Sequence, residues 1–501
     1  MSEPPAKNPR RDSPAGHPAP RATGGGVRER GILSAVVGDP ISSVSVDALS
    51  SFGEAFGGEI VLPGSADYDA ARVVWNGMID RHPAIVARCS DVDDVVRSIR
   101  FAREQDLVVA VRSGGHSVGG FSTCDDGIVI DLSLMRGVRV DPEQRTAQVN
   151  GGALLGELDR EAQAFGLACP VGVVGHTGVA GLTLGGGMGR LQRRFGFTID
   201  NLLSVDLVTA DGELLHVNES EDPDLFWGMR GAGPNFGVVT SFEFRLHEVG
   251  PDVVQGTIAF PAVRAHEIAD RFREYLDTAP DEEALSFAFA TATEDDPSFP
   301  PELAGQPVVV VGATHSGAPG DARDVLGPLR DAGPLFDTFD VRPYLEVQSV
   351  ADEEMAWGKR FSMKGGFLAA LSEGFLDLSI DQTTVAPGTG CWIGLWAQGG
   401  AIARVADDAM AFTGRKAPFW LGVEAAWDDP SLDQPHREWG RVTMDSLTPF
   451  TAEGHYVNDL METGEDVARG VYGDAKYDRL VELKRAYDPD NVFRLNQNIR
   501  P

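Results

Sequence analysis

The chain has 501 residues, 42% of them hydrophobic, which is ample for real cores and, at usual domain sizes, for about three domain-sized units. Its 75 acidic against 43 basic side chains give a formal net charge of −32. Such an excess argues against nucleic acid, whose phosphates demand Lys and Arg, and against anionic membranes.

Residues 1–45 are rich in Pro, Gly, Arg and Ser with no apolar period and read as a disordered tail. Arg10-Arg11 is followed by no apolar stretch fit for twin-arginine export, and no run approaches the roughly 18 apolar residues of a membrane span. A cytoplasmic location is the expectation. Order should begin near Val46 to Phe56. Ala84 to Arg88 reads as a strand, and Asp91 caps a helix with Val92, Val95, Val96, Ile99 and Ala102 on one face. Leu107 to Arg112 is the next strand, so the strand–helix–strand unit predicts parallel pairing. That strand runs into Ser113-Gly114-Gly115-His116-Ser117. The glycines let backbone approach a bulky anionic ligand, and the N–H groups of such a turn can cradle phosphate. From this motif alone, a solvated turn histidine is an equally good reading of His116.

Short strands follow around Gly127 to Leu132, Val138 to Val140 and Ala147 to Val149, then an amphipathic helix from Gly152 to Phe165 that Gly166 ends. Val205 to Val208 and Leu214 to Val217 flank an Asp-Gly turn and predict a hairpin. Beyond Leu246 the glycine clusters thin, and runs such as the helical Val263 to Leu276 and the strand-like Pro307 to Val311 mark a second unit. Asp474 caps a last helix reaching Ala486, and Asn491 to Asn498 alternates apolar and polar groups. The four cysteines, Cys89, Cys124, Cys169 and Cys391, form no Cys-x-x-Cys pair, which argues against a disulfide framework or a zinc site; no metal is expected.

Two further glycine clusters stand at Thr177–Gly189 and Gly231–Thr240. Neither has Rossmann spacing with a following acidic residue, nor the Gly-Lys-Ser/Thr of a P-loop. Each taken singly is a plain turn. Three in one α/β region suggest one extended ligand lying against much backbone.

The joint order Arg-Ser-Gly-Gly-His-Ser, Thr-Gly-Val-Ala-Gly-Leu-Thr-Leu-Gly-Gly-Gly, Asn-Phe-Gly-Val-Val-Thr and Asn-Val-Phe-Arg-Leu-Asn-Gln-Asn-Ile resembles the berberine-bridge-enzyme-like FAD-linked oxidases of the vanillyl-alcohol-oxidase superfamily, from about Trp75 to the C-terminus. The resemblance implies an α+β fold. A PCMH-type FAD-binding domain of two α/β subdomains would span 46–250. A substrate domain, an antiparallel sheet covered by helices, would span 251–453, and a segment over 454–501 would return to the flavin. It implies FAD contacts from Arg112, Ser113, Gly114, Gly115, His116 and Ser117, and from His176, Thr177, Gly178, Gly181, Gly185, Gly186, Gly187 and Gly189. Asn201, Val238, Val239, Asn496 and Asn498 complete the set. It further implies a covalent bond from His116 to the 8α-methyl carbon. Many relatives add a cysteine link to flavin C6, but here that slot falls near Val174 and Cys169 lies upstream. Single attachment is the expectation, with Cys169 a buried small residue; a double link through Cys169, by a shift of loop register, stays as the alternative.

Removing hydride from a C–H beside O–H or N–H also needs a base for the proton. Relatives place a Tyr-x-Asn segment near the flavin, which makes Tyr456 the first candidate. Where many of them continue with a second tyrosine, this chain has Asp459, and the base stays open. Tyr344, Glu346 and Gln348 form a period-2 set suited to a strand facing the pocket, so Tyr344 is the second candidate. Both tyrosines read equally as half-buried aromatics. His436, three residues before Trp439, reads as packing. The expected activity is oxidation of a small alcohol, sugar or amine with O₂ as acceptor, giving H₂O₂. A dehydrogenase using another acceptor and a non-catalytic flavin-binding protein stay as alternatives. The sequence names neither the substrate nor the oligomeric state.

Overall fold

The computed structural model describes residues 44–294, 299–322 and 324–501; residues 1–43 of the expected tail, Arg10-Arg11 included, lie outside them. The first helix, Val46–Ala55, is capped by Ser45, whose hydroxyl accepts the Ala48 N–H. Three sheets and a two-stranded ribbon organise the rest.

In the first sheet, Ile85–Arg88 and Val109–Arg112 both run parallel to Ile128–Asp131, which lies between them, and Glu59–Val61 pairs antiparallel outside Ile85–Arg88. The expected parallel sense holds, but the two strands are not neighbours. The crossover leaves a gap that the strand after the His116 turn fills. Ile128, Val129 and Ile130 are buried throughout, as a central parallel strand requires. The crossing helix Val92–Glu104 starts where expected, with the Asp91 carboxylate accepting the Asp94 N–H.

The second sheet is five antiparallel strands in the order Val138–Asp141, Thr146–Asn150, Val238–Arg245, Leu202–Val208 and Leu214–Asn218. The helix beside it is Leu155–Gln163, shorter than the apolar period suggests. Gly152 cannot join it, because its backbone packs on the first sheet: a Cβ there would lie 1.7 Å from the Leu132 carbonyl oxygen.

The third sheet has eight antiparallel strands, with Glu283–Thr291, Cys391–Ala397, Phe419–Trp427 and Arg360–Leu368 consecutive in its middle. Alternate side chains go to opposite faces. Phe287, Phe289, Ile393, Leu395, Leu421 and Val423 join one apolar core with Phe272, Phe375 and Trp439 of the helices Ala265–Leu276, Glu373–Thr384 and Asp433–Leu447. Ala288, Ala290, Trp392, Trp396, Trp420 and Glu424 face the other way, into a cavity. His436 packs as expected, stacked on Trp427 with ring centroids 4.6 Å apart.

Two local expectations are corrected. Residues Tyr344–Gln348 form a helix rather than a strand: Pro343 closes the edge strand Asp340–Pro343, and helical geometry follows it. Asp474 is the first residue of the helix Asp474–Tyr487, not its cap, because Gly473 at φ +71° joins it directly to the helix Glu465–Tyr472. The alternating residues 491–498 run as a loop packed into the fold. Phe493 and Leu495 face different apolar clusters, and the Asn496 amide and the Ile499 N–H bond the loop at Pro234 and Asn235. The α+β class holds. No helix among the described residues is long and apolar enough to cross a membrane.

Candidate active site

One cavity of about 790 Å³ lies between the glycine-rich loops and the free face of the eight-stranded sheet. The strand Val109–Arg112 delivers the first loop to it. Gly115 turns the chain at φ +71°, a left-handed conformation that favours glycine, and its carbonyl accepts the Trp75 N–H. Gly114 and Gly178 bring the first two loops into backbone contact: a Cβ on Gly114 would lie 2.2 Å from Gly178 N, and one on Gly178 equally close to Gly114 N.

His116 is held on three sides. Its imidazole stacks on Trp75 at 4.8 Å and 17°, and Trp357 presents an edge at 6.1 Å. Its Nε2 stands 2.7 Å from Nδ1 of His176. Burial, aided by His176, pushes the His116 pKa down to about 3, so the ring is neutral near pH 7.

Around it on the cavity wall stand Ser113, Ser117, Thr177, Gly178, Gly181 and Gly189 from the first two loops. Val238 and Val239 come from the third, and Asn496 and Tyr456 from the last fifty residues. His176 reaches the site through His116 rather than as part of the wall.

Other residues named as contacts direct their side chains, or give their space, to the protein itself. Arg112 turns its guanidinium to Asp131 at 2.7 Å, a buried ion pair across the first sheet. Asn201 holds its own loop, donating to the carbonyls of Phe195 and Phe197, and its Oδ1 meets His247 Nε2 at 2.6 Å. Gly185, Gly186 and Gly187 make room for side chains: added Cβ atoms would strike Asn458 Oδ1, Phe412 and Thr198 Oγ1. Asn498 is off the wall too. Tyr344 is wholly buried among Ala168, Leu191, Val249 and Val253, with its hydroxyl unpartnered and its pKa raised by burial. Cys169 is buried with burial raising its thiol pKa, and it too is off the wall, which Val174 reaches instead.

The far end of the cavity holds groups that motif reading missed. Glu424, on Phe419–Trp427, is buried beneath Trp392 and Trp420; burial lifts its pKa to about 7, although a Trp392 side-chain hydrogen bond opposes the shift. Asp459 accepts the Trp420 indole N–H at 2.6 Å, and burial raises its pKa well above the carboxylate range, with Glu424 adding to the rise. A usable signal was present: Glu424 is the one charged residue in Phe-Trp-Leu-Gly-Val-Glu-Ala-Ala-Trp. Tyr456 lies between the two ends. Its hydroxyl oxygen accepts the Gly187 N–H at 3.0 Å and an Asn458 amide N–H at 2.9 Å, and burial raises its pKa. Burial thus favours the protonated phenol.

Residues 83–218 match the FAD binding domain family, and residues 455–500 match the family described as berberine and berberine like. An FAD-linked oxidoreductase of Dictyostelium discoideum is 32% identical over 458 residues, covering 90% of this chain and 97% of that protein. The (R)-6-hydroxynicotine oxidase of Paenarthrobacter nicotinovorans is 33% identical over 465 residues, covering 89% and 97%. The crystal structure of 6-hydroxy-D-nicotine oxidase from Arthrobacter nicotinovorans superposes with a TM-score of 0.78 at 30% identity, covering 89% of this chain and 98% of that one.

The cavity fits a flavin nucleotide on its own terms. Its volume falls in the range of cofactor sites, about 300–1,000 Å³. Ser113 Oγ, Ser122 Oγ and Asn496 Oδ1, all on wall residues, are buried without a partner in the protein, as expected where a polar ligand completes the bonding. At Gly181 a Cβ would meet nothing within 4 Å, so backbone there can be covered closely by a ligand.

Proposed function

The chain belongs to the berberine-bridge-enzyme-like FAD-linked oxidoreductases, and from that membership we propose that it oxidises a small organic amine, with FAD tethered through His116 and dioxygen as the final acceptor. The observation that carries the reading is the continuity of one cavity from neutral His116 to the buried carboxyl of Glu424.

Bound FAD supplies a two-electron acceptor that takes hydride from carbon and passes the electrons to O₂, yielding H₂O₂. The chain supplies the rest. Trp392, Trp396, Trp420 and Phe361 enclose a flat apolar body and exclude water from it. Glu424 takes the proton from the substrate nitrogen at Oε1 or Oε2, leaving a lone pair to replace the electrons that depart with hydride. A pKa near 7 suits a general base at neutral pH. Burial disfavours the charged form of Asp459, which works against a second negative charge beside Glu424. Tyr456, protonated and doubly bonded, holds the Gly187 turn against the C-terminal segment.

An amine is favoured over a sugar by the wall itself. A sugar needs many hydrogen-bonding groups along its ring. This end of the cavity offers tryptophans, alanines and valine with few polar side chains beyond the carboxyls of Glu424, Asp459 and Glu354. The relative that oxidises 6-hydroxynicotine points the same way. Peroxide release across a panel of cyclic amines, benzylic alcohols and oligosaccharides tests the reading. Turnover of oligosaccharides alone would overturn the amine assignment. Slow reoxidation by O₂ in stopped flow, after anaerobic reduction by substrate, would replace the oxidase by a dehydrogenase.

A further inference from the structure

The hydrogen bonds behind His116 determine which of its nitrogens is free. Nε2 of His176 stands 3.3 Å from the main-chain carbonyl oxygen of Asp352, an atom that only accepts. His176 therefore carries its proton on Nε2 and presents a lone pair at Nδ1. His116 Nε2, 2.7 Å from that lone pair, must be the donor. The lone pair of His116 is thereby placed on Nδ1.

The anchor of this relay is itself fixed. Asp352 Oδ1 accepts the Gly175 N–H at 2.6 Å, one residue before His176. The segment after it is tied to Trp75, whose indole donates to the Met355 carbonyl and whose own carbonyl accepts the Gly358 N–H. Trp75 in turn stacks on His116. The two imidazoles and the carbonyl thus sit on elements that brace one another.

We propose that His176 is a positioning residue for flavin attachment: it sets the His116 tautomer and accepts its Nε2 proton as Nδ1 bonds to the cofactor. The inference rests on the His116 linkage proposed above. In the step, a bond forms between His116 Nδ1 and a methyl carbon of the flavin's benzenoid ring, and one C–H bond of that methyl breaks. The methyl hydrogen leaves as a proton, and the Nε2 hydrogen of His116 passes to His176 Nδ1. The electron pair of the C–H bond reduces the flavin, and O₂ takes it with two protons as H₂O₂. Without an acceptor at Nε2, alkylation at Nδ1 would leave the positive charge on the tethered ring that stacks on Trp75. The proton taken up at His176 Nδ1 then leaves it as one of the two that complete H₂O₂, so neither ring keeps a charge, which is costly in a buried site. The depressed pKa of His116 reflects the same penalty.

Purified full-length protein, incubated in air with added FAD, is precipitated with acid, and the flavin in pellet and supernatant is measured. Wild type should hold its flavin in the pellet, and His116→Ala should release all of it. His176→Ala should bind FAD yet show a covalent share lower by about tenfold or more, and added imidazole should raise that share. Should His176→Ala retain no flavin, His176→Asn is read in its place, since it keeps an acceptor atom but cannot take up a proton. Full covalent loading of either variant overturns the inference and leaves the His116 linkage standing. Wild-type flavin released entirely by acid overturns the linkage itself.

Discussion

At the His116 end the cavity wall is main chain, where Gly114 and Gly178 meet backbone to backbone and Gly181 fronts open space. At the Glu424 end the wall is side chain: indoles and the buried carboxyl of Glu424 project from alternate positions of strands whose other faces build an apolar core, and Asp459 joins them from the turn Val457–Asp459. Where Gly114 and Gly178 meet, the first arrangement tolerates almost no added atom, and so suits a ligand common to a family. The second can be rewritten one side chain at a time without disturbing the sheet, and so suits a substrate particular to one protein.

The largest expected effect breaks the side-chain end alone. Glu424→Gln should lower kcat/KM by about 10²–10⁴-fold with flavin content unchanged. In the wild type, kcat/KM should fall about tenfold per unit as pH drops below about 7, because Glu424 is then protonated. Stability runs the other way. A carboxyl raised from its ordinary 4.5 to about 7 by burial contributes stability that is full below about 4.5 and lost as pH rises through about 7. The Gln variant should therefore be the more stable protein at pH 8, by up to about 3 kcal/mol. Urea unfolding at pH 5 and pH 8 checks the sign.

The backbone end should respond in the opposite pattern. Gly114→Ala places a methyl group 2.2 Å from Gly178 N, and the neighbour is main chain that cannot swing away. A destabilisation of about 3 kcal/mol is expected, together with loss of flavin. Thermal melts and the flavin-to-protein absorbance ratio measure both. Unchanged flavin content in this variant would show that the two loops can part without harm.

The same contrast explains what could be read from the sequence. Backbone walls leave glycines, which stand out because few other residues take φ +71° or permit such close contact. His116 and the three clusters were legible for that reason. Glu424 and the tryptophans were harder to read, because the strand Phe419–Trp427 is apolar on both faces and only the charge of Glu424 marks its cavity side. Tyr344 failed for a related reason: three residues of period 2 fit a strand, but one turn of helix after Pro343 erased the pattern. Arg112 and Asn201 lie beside the site in sequence, yet their side chains point into the scaffold, to Asp131 and His247. Long alternating or amphipathic segments, such as Val92–Glu104, were read nearly to their ends.

Tyr456 joins the two ends, so its removal should cost both a little. Tyr456→Phe deprives the Gly187 N–H and an Asn458 N–H of their shared acceptor. A loss of about 1–3 kcal/mol is expected for leaving these buried donors short of a partner. With Glu424 as the proposed base, kcat should keep its pH dependence, with the midpoint still near 7. A midpoint that moves with the substitution would return the base to Tyr456.

The smallest effect sharpens the boundary of the site. Cys169 is the residue that a second flavin link would recruit, yet it lies in the scaffold, buried and off the cavity wall, while Val174 occupies the wall. Its burial raises the thiol pKa, so the thiolate that could attack the flavin is scarce. Cys169→Ala removes one sulfur from a packed interior and should cost about 1 kcal/mol in denaturant unfolding. The acid-insoluble share of flavin should stay at the wild-type value. A fall in that share would place a second tether at Cys169 and would require the Cys169–Val174 segment to shift toward the cavity when flavin is bound.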